Sequence, residues 1–394
     1  MKSRLLLLLL LATPLLSSAA RLGAMCTADS DCDAGLRCDG CSGQQGVCVR
    51  IRPYDPRSKG RDLPFNEYSW LTTHNSFARQ GAVSATGTPL LTFTNQQDSI
   101  TSQLNNGVRG LMLDMYDFEN DVWLCHSFGG QCFNFTAFQP AINVLREIQV
   151  FLEANPSEVV TIFIEDYVRS TNGLTRVFNA SGLMTYWYPV DQMPRNGSWP
   201  LLSSMINQNH RLLVFTSIAS KEASEGIAYE WNYVVENQYG DEGLNSTTCP
   251  NRTESSPMDT TSKSLVLMNY FQENPVGSVA CSNNLSPLVS MLGTCHNYSA
   301  NRWANFVAVD FYLLGDAPEA VNVANGHMVC GCDNFAYCRS NATFGTCDVP
   351  PPPPPSSSPR STTPGSTSDA SITGGFSMLS KVATFSWLLL LEFI

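Results

Sequence analysis

Charge is scarce in this chain. Asp, Glu, Lys and Arg make up 14% of its 394 residues, with 23 basic against 34 acidic side chains, and there are only five histidines. A net charge of -11 argues against a nucleic-acid partner and against a polybasic grip on anionic lipid. Also missing are a glycine-rich phosphate loop, an HExxH pair and a Gly-x-Ser-x-Gly elbow, so nucleotide, zinc-protease and serine-hydrolase chemistry lack their motifs. Against that scarcity, the stretch YSWLTTHNSF (Tyr68 to Phe77) places His74 and Asn75 directly after an apolar, β-prone run. A titratable ring there is either a hydrogen-bonded corner or chemistry.

The two ends read as processing signals. Residues 1–20 join Lys2 and Arg4 to a leucine run and then to Ser18-Ala19-Ala20, a signal-peptide pattern with cleavage expected after Ala20. A Pro/Ser/Thr-rich linker, 349–371, leads to an apolar tail, 372–394, the layout of a removable GPI-attachment signal. Ser368 is the expected attachment residue, with Ala370, Ser371 and Gly374 as alternatives. A plain transmembrane anchor is the rival; the short tail, Glu392 and the lack of basic residues beyond it count against that. These signals make the expected location the outer face of the plasma membrane.

Cysteine, by contrast, is plentiful: all fourteen lie after Ala20, as expected in an oxidising compartment. Eight Asn-x-Ser/Thr sequons, at Asn134, Asn179, Asn196, Asn245, Asn251, Asn284, Asn297 and Asn341, point the same way. Five of the cysteines fall between Cys26 and Cys48 with few apolar residues among them, which marks 21–52 as a small stapled module. Cys38-x-x-Cys41 admits zinc, but the secretory context favours disulfides. Because five is odd, one of these cysteines is expected to bridge to the main domain or to pair in another scheme.

Residues 62–340 are long enough for one large core. Candidate strands are 70–73, 110–115, 159–164, 212–216, 233–236, 265–269 and 306–311. Such near-continuous apolar runs suit a parallel sheet buried on both faces. The clearest helix spans Ala137 to Ala154, capped by Thr136, with Phe138, Ile142, Leu145, Ile148 and Leu152 on one stripe and Asn155-Pro156 at its end. The alternation predicts an α/β fold, a TIM-type (β/α) barrel, with an open doubly wound sheet as the runner-up.

In such a barrel the carboxyl ends of the strands converge on one rim. His74 and Asn75 end the first strand, Asp114 the second, Glu165 and Asp166 the third, and Asp310 the last, while His126 sits in a loop that can reach the same rim. Two histidines and a carboxylate suit phosphodiester cleavage: one ring takes a proton from a hydroxyl, the other protonates the leaving oxygen, and the carboxylate fixes the first ring's tautomer. Oxygens from Asn75, Asp114 and Glu165 could hold a hard divalent cation. Taken singly, each residue also has a bland reading, as a satisfied polar group or a helix-start carboxylate.

These segments resemble the X domain of the phosphatidylinositol-specific phospholipases C, in particular its secreted, plant-like members. The resemblance rests on LTTHNSF, GVRGLMLDMYD, VWLCHS, NPSEVVTIFIED and FVAVDFY, and covers Asp62 to about Asp316. It implies His74 as general base, His126 as general acid and Asp310 as the partner of His74. It further implies Asn75, Asp114 and Glu165 as calcium ligands, with Arg109, Asn237 and Tyr239 as substrate contacts. The implied substrate is a phosphoinositide or another glycerophosphodiester. Two positions depart from the family pattern: Met112 stands where the calcium-dependent members have an acidic residue, and Tyr116 where the metal-independent bacterial members have an arginine. A surface binding protein that has lost turnover is therefore the alternative, and a glycoside hydrolase using Glu165 is a third reading, disfavoured by the paired histidines.

Overall fold

The computed structural model describes residues 20–43, 45–59 and 61–349. The signal segment before Ala20, the linker from Pro350 onward and the apolar tail lie outside the described residues, which belong to one compact unit. None of the described helices is long and apolar enough to cross a membrane.

A short hairpin, β1 (Leu36–Asp39) and β2 (Val47–Arg50), opens the chain. The main sheet consists of β3 (Trp70–Thr73), β4 (Val108–Phe118), β5 (Asp121–Cys125), β6 (Ala137–Pro140), β7 (Val160–Tyr167), β8 (Leu212–Thr216), β9 (Ala228–Tyr229), β10 (Val234–Glu236), β11 (Leu265–Tyr270) and β12 (Phe306–Val309). Eight of these run parallel in the order β10-β11-β12-β3-β4-β7-β8-β9. Because β12 pairs with β3, the sequence order closes on itself, and the ladder is interrupted only between β9 and β10. The fold is thus a TIM-type (β/α) barrel with one open seam. The strands β5 and β6 are an antiparallel extension of β4.

The period of two along each strand sorts side chains into two cores. Inward-facing Trp70, Phe163, Phe215, Leu267, Phe306 and Ala308 fill the barrel. Outward-facing Leu71, Leu113, Ile162, Val214, Val266 and Val307 pack beneath the helices. Burying each such large side chain contributes about 1.5–3 kcal/mol. Continued to the carboxyl ends, the inward register passes through Asp114, Glu165, Glu236 and Asp310, so the alternation that builds the core also aims polar groups into the rim.

One predicted element needs correction. The segment Ala137–Pro140 is the strand β6, and the helix begins only at Ala141 and runs to Ala154. Pro140 occupies the helix N-cap position, where its missing N–H costs nothing. Phe138 is therefore buried from a strand and packs edge-on against Phe77, while Leu145, Ile148 and Leu152 keep their helical stripe.

The cysteines form seven disulfides and none is free. Within the hairpin module Cys26 pairs with Cys38 and Cys32 with Cys48, and the odd one, Cys41, reaches Cys281 in the barrel domain.

Candidate active site

A cavity of about 250 Å³ opens at the carboxyl ends of the strands and is lined by His74, Asn75, Asp114, His126 and Glu165. His74 follows β3 in the inward register. Its Nδ1 lies 2.9 Å from Asp310 Oδ1, and its ring stacks on Phe271 with centroids 3.7 Å apart. Asp310, 2% exposed, is fixed in turn by the Asn95 amide, which donates to Oδ1 at 2.9 Å. Gln96 Nε2 donates to the carbonyls of both His74 and Val309. With Nδ1–H donating to the carboxylate, Nε2 keeps the lone pair of the neutral ring.

His126 owes its place to β5 and to the Cys125–Cys132 disulfide, which closes the loop that carries it. Its Nδ1–H donates to the Phe93 carbonyl at 3.0 Å, leaving Nε2 toward the cavity. Burial, and then the nearby His74, hold its imidazole below the ordinary histidine value.

The Asn75 amide, in left-handed backbone (φ 41°), donates from Nδ2 to Asp114 Oδ1 at 2.9 Å and holds its oxygen 3.2 Å from His74 Nε2, placed to accept from that nitrogen once it is protonated. Asp114 is 7% exposed, and burial followed by repulsion from Glu165 pushes its carboxyl well above the usual carboxylate range. The two sit side by side on β4 and β7, where Asp114 is in register with Glu165. A divalent cation would relieve such a pair, so the donor chemistry of Asn75, Asp114 and Glu165 fits a hard metal. The thioether of Met112 lines the same cavity but offers a soft sulfur instead of a fourth oxygen. Among the described residues, no three His, Cys, Asp or Glu ligand atoms cluster at this rim.

Tyr239 also lines the cavity, stacked on Phe271 at 5.6 Å. Two expected substrate contacts are elsewhere. Arg109 lies near the amino end of β4, where its Nε donates to Glu158 Oε2 at 2.8 Å, its Nη1 bonds the carbonyls of Leu104 and Val108, and its guanidinium sits over the Phe151 ring. Asn237 is fully buried and exchanges amide bonds with the Asn269 backbone, tying β10 to β11. The preceding residue takes the inward register, so Glu236 reaches the cavity in its place. Asp166 likewise points away and pairs with Lys221 at 2.9 Å.

Several cavity residues carried no sequence signal: Glu230, Phe271, Arg252 and, behind Asp310, Asn95 and Gln96. Glu236 was readable in principle, as the inward residue of VVE. Glu230 is 6% exposed, with Oε1 lacking a hydrogen-bond partner among the described residues; burial and Glu236 push its carboxyl well up.

The sequence profile of the PI-PLC X 1 family matches residues 65–325. A PI-PLC X domain-containing protein of Arabidopsis thaliana is 48% identical, over 97% of this chain and 92% of its own length. An uncharacterized secreted protein of Arthroderma benhamiae is 25% identical over 65% of this chain and 59% of its own. Among solved structures, the phosphatidylinositol-specific phospholipase C of Listeria monocytogenes covers 67% of this chain and 94% of its own, at 15% identity and a TM-score of 0.44. The profile match and the Arabidopsis relative together span the whole barrel, and the chain belongs to the PI-PLC X family.

Proposed function

We propose that this protein is an extracellular phosphoric diester hydrolase acting on a phosphoinositide or related glycerophosphodiester. The observation that carries this reading is the His74–Asp310 pair, with the ring of His74 lining a cavity that also holds His126. His74 Nε2 takes the proton of a hydroxyl adjacent to the phosphate. The freed oxygen bonds to phosphorus, the phosphorus–oxygen bond to the glyceride side breaks, and His126 gives its proton to the departing oxygen. Asp310 stabilises the imidazolium formed at His74. Asn75, Asp114 and Glu165 would hold a calcium ion, which when bound would offset charge on the phosphoryl oxygens. The signal pattern, the disulfides and the described secretion of a relative support the extracellular location. The C-terminal layout supports a GPI anchor at the membrane, and finding the Trp387-to-Ile394 peptide in mature protein would exclude it.

His74→Ala and His126→Ala should each cost roughly a hundredfold to ten-thousandfold in kcat on an unactivated phosphodiester, and their double mutant little more. An activated aryl ester should partly rescue His126→Ala but not His74→Ala, because its leaving group needs no proton. Glu165→Gln should weaken calcium binding measured by calorimetry. Full activity in His74→Ala would refute the catalytic role. The presence of Met112 and Tyr116 at the two charge-neutralising positions favours a second reading, a surface binding protein without turnover. That reading predicts ligand binding in the wild type with no product formed.

A further inference from the structure

We propose that Arg252 is the phosphate-holding residue of this site, an assignment that rests on the rim being a phosphodiester site. The cavity presents carboxylates from Asp114, Glu165, Glu230, Glu236 and Glu273, and Arg252 is the one Lys or Arg among the described residues that line it. A phosphodiester carries a negative charge, so a fixed cation among these carboxylates favours its entry. With Tyr116 and Met112 at the family's two charge-neutralising positions, the chain's own candidate must come from another element, and Arg252 comes from the long connection between β10 and β11.

That connection is built to hold one side chain still. The Cys249–Cys295 disulfide pins it three residues upstream, Asn237 and Asn251 form an isolated bridge, and the Arg252 N–H donates to the Glu236 carbonyl at 2.9 Å. The guanidinium lies 5.6 Å from the Trp231 ring centre and 5.4 Å from that of Tyr239. Its Nε donates to Glu254 Oε2 at 3.0 Å and its Nη1 to Glu236 Oε1 at 3.3 Å. Glu236, 1% exposed, is itself locked by the Trp231 indole N–H at 2.9 Å and the Asn269 amide at 2.8 Å. Nη2 makes no hydrogen bond among the described residues, so both of its N–H donors, on a braced planar fork, remain for an anion. The same side chain also lines a neighbouring groove of about 660 Å³ that shares Glu165, Ser217 and Trp231 with the cavity. It therefore stands where a head group passes from the groove to the histidines. In this arrangement Glu236 acts through Arg252 as a positioning residue.

Removing Arg252 alone would leave Glu236 buried without its cation, so the test pairs the two. In a His74→Ala background, where turnover is slowed, myo-inositol 1-phosphate is titrated and its phosphorus resonance followed, with myo-inositol as the uncharged control. Arg252→Gln/Glu236→Gln should weaken phosphate binding roughly tenfold to a hundredfold, Arg252→Lys by less, and neither should change inositol binding or the unfolding midpoint by much. Unchanged phosphate binding in the paired variant, or none in the parent, overturns the assignment. Arg252-dependent binding in a chain whose full-length form cleaves no phosphodiester would sustain the assignment while removing the catalytic reading. A wild-type KM in Arg252→Lys and the paired variant, with His74-dependent turnover, would do the reverse.

Discussion

The proton inventory of two histidines governs how this site would respond to pH. His126 must carry a proton to act as the acid. Burial and His74 hold its imidazole below the ordinary value of 6.5, so the protonated form is complete below that lowered value and is lost as pH rises through it. The alkaline limb of a kcat/KM profile should therefore fall below about pH 6.5 and vanish in His126→Ala on an activated ester. A limb above about pH 7 would assign the acid to another group, with Glu230 the next candidate. A second residue-scale expectation concerns glycosylation. Asn284 sits in a sequon, but it is 1% exposed and its amide donates to the carbonyls of Asp310, Phe311 and Leu314. Peptide mapping of secreted material should find Asn284 bare, because a glycan there would cost the bonds that shape the Asp310 loop. Occupancy at Asn284 would mean that this loop has a different structure.

At the level of elements, the approach of β3 to β4 sets where His74 and Asp114 sit relative to each other. Their ladder shifts register between Leu71 and Thr72, and Gly110 is the residue that lets the strands close. A Cβ at Gly110 would lie 2.2 Å from Thr72 Oγ1, and Thr72 is fully buried and β-branched, so it cannot swing aside. Gly110→Ala should destabilise the fold by about 1–3 kcal/mol, read as a lowered denaturant midpoint. An unchanged midpoint would show that the barrel wall can spread. The helix Ala141–Ala154 illustrates how the elements compete. Its stripe was legible from spacing, yet β5 offered a free edge, so the residues before Pro140 joined the sheet.

For the molecule as a whole, the N-terminal module acts on the site through one loop. Cys41 is bonded to Cys281, Arg50 pairs with Asp316 at 2.6 Å and with Glu319 at 2.8 Å, and Asp39 accepts from the Gly315 N–H. Residues 310–316 begin with Asp310, so the module braces the segment that holds the His74 ring. Cys41→Ser/Cys281→Ser removes a cross-link spanning 240 residues and should cost about 2–5 kcal/mol of stability. Faster amide exchange across 310–316 and a lower kcat should accompany that loss. Unchanged exchange in that loop would make the module a passenger.

The strand ends His74, Asp114, Glu165 and Asp310 were legible because they depend on a local rule: period-two alternation fixes which residues face inward, and parallel strands bring their carboxyl ends to one rim. The odd cysteine count in the module likewise called for a partner outside it, since pairing within the module leaves one over. The sequence could not separate Arg109 and Asn237 from the site, because a motif match carries no information about which end of a strand a side chain leaves from or which neighbour claims its hydrogen bonds. Nor did it disclose Phe271 under the His74 ring, Asn95 on Asp310, or Arg252 braced by Glu236. Those contacts join residues far apart in the chain, and their distances depend on how the β10–β11 connection and the loop after β3 return across the rim. Only the closed tertiary path decides that, because loop conformation is set by what the loop packs against and not by any periodicity of its own.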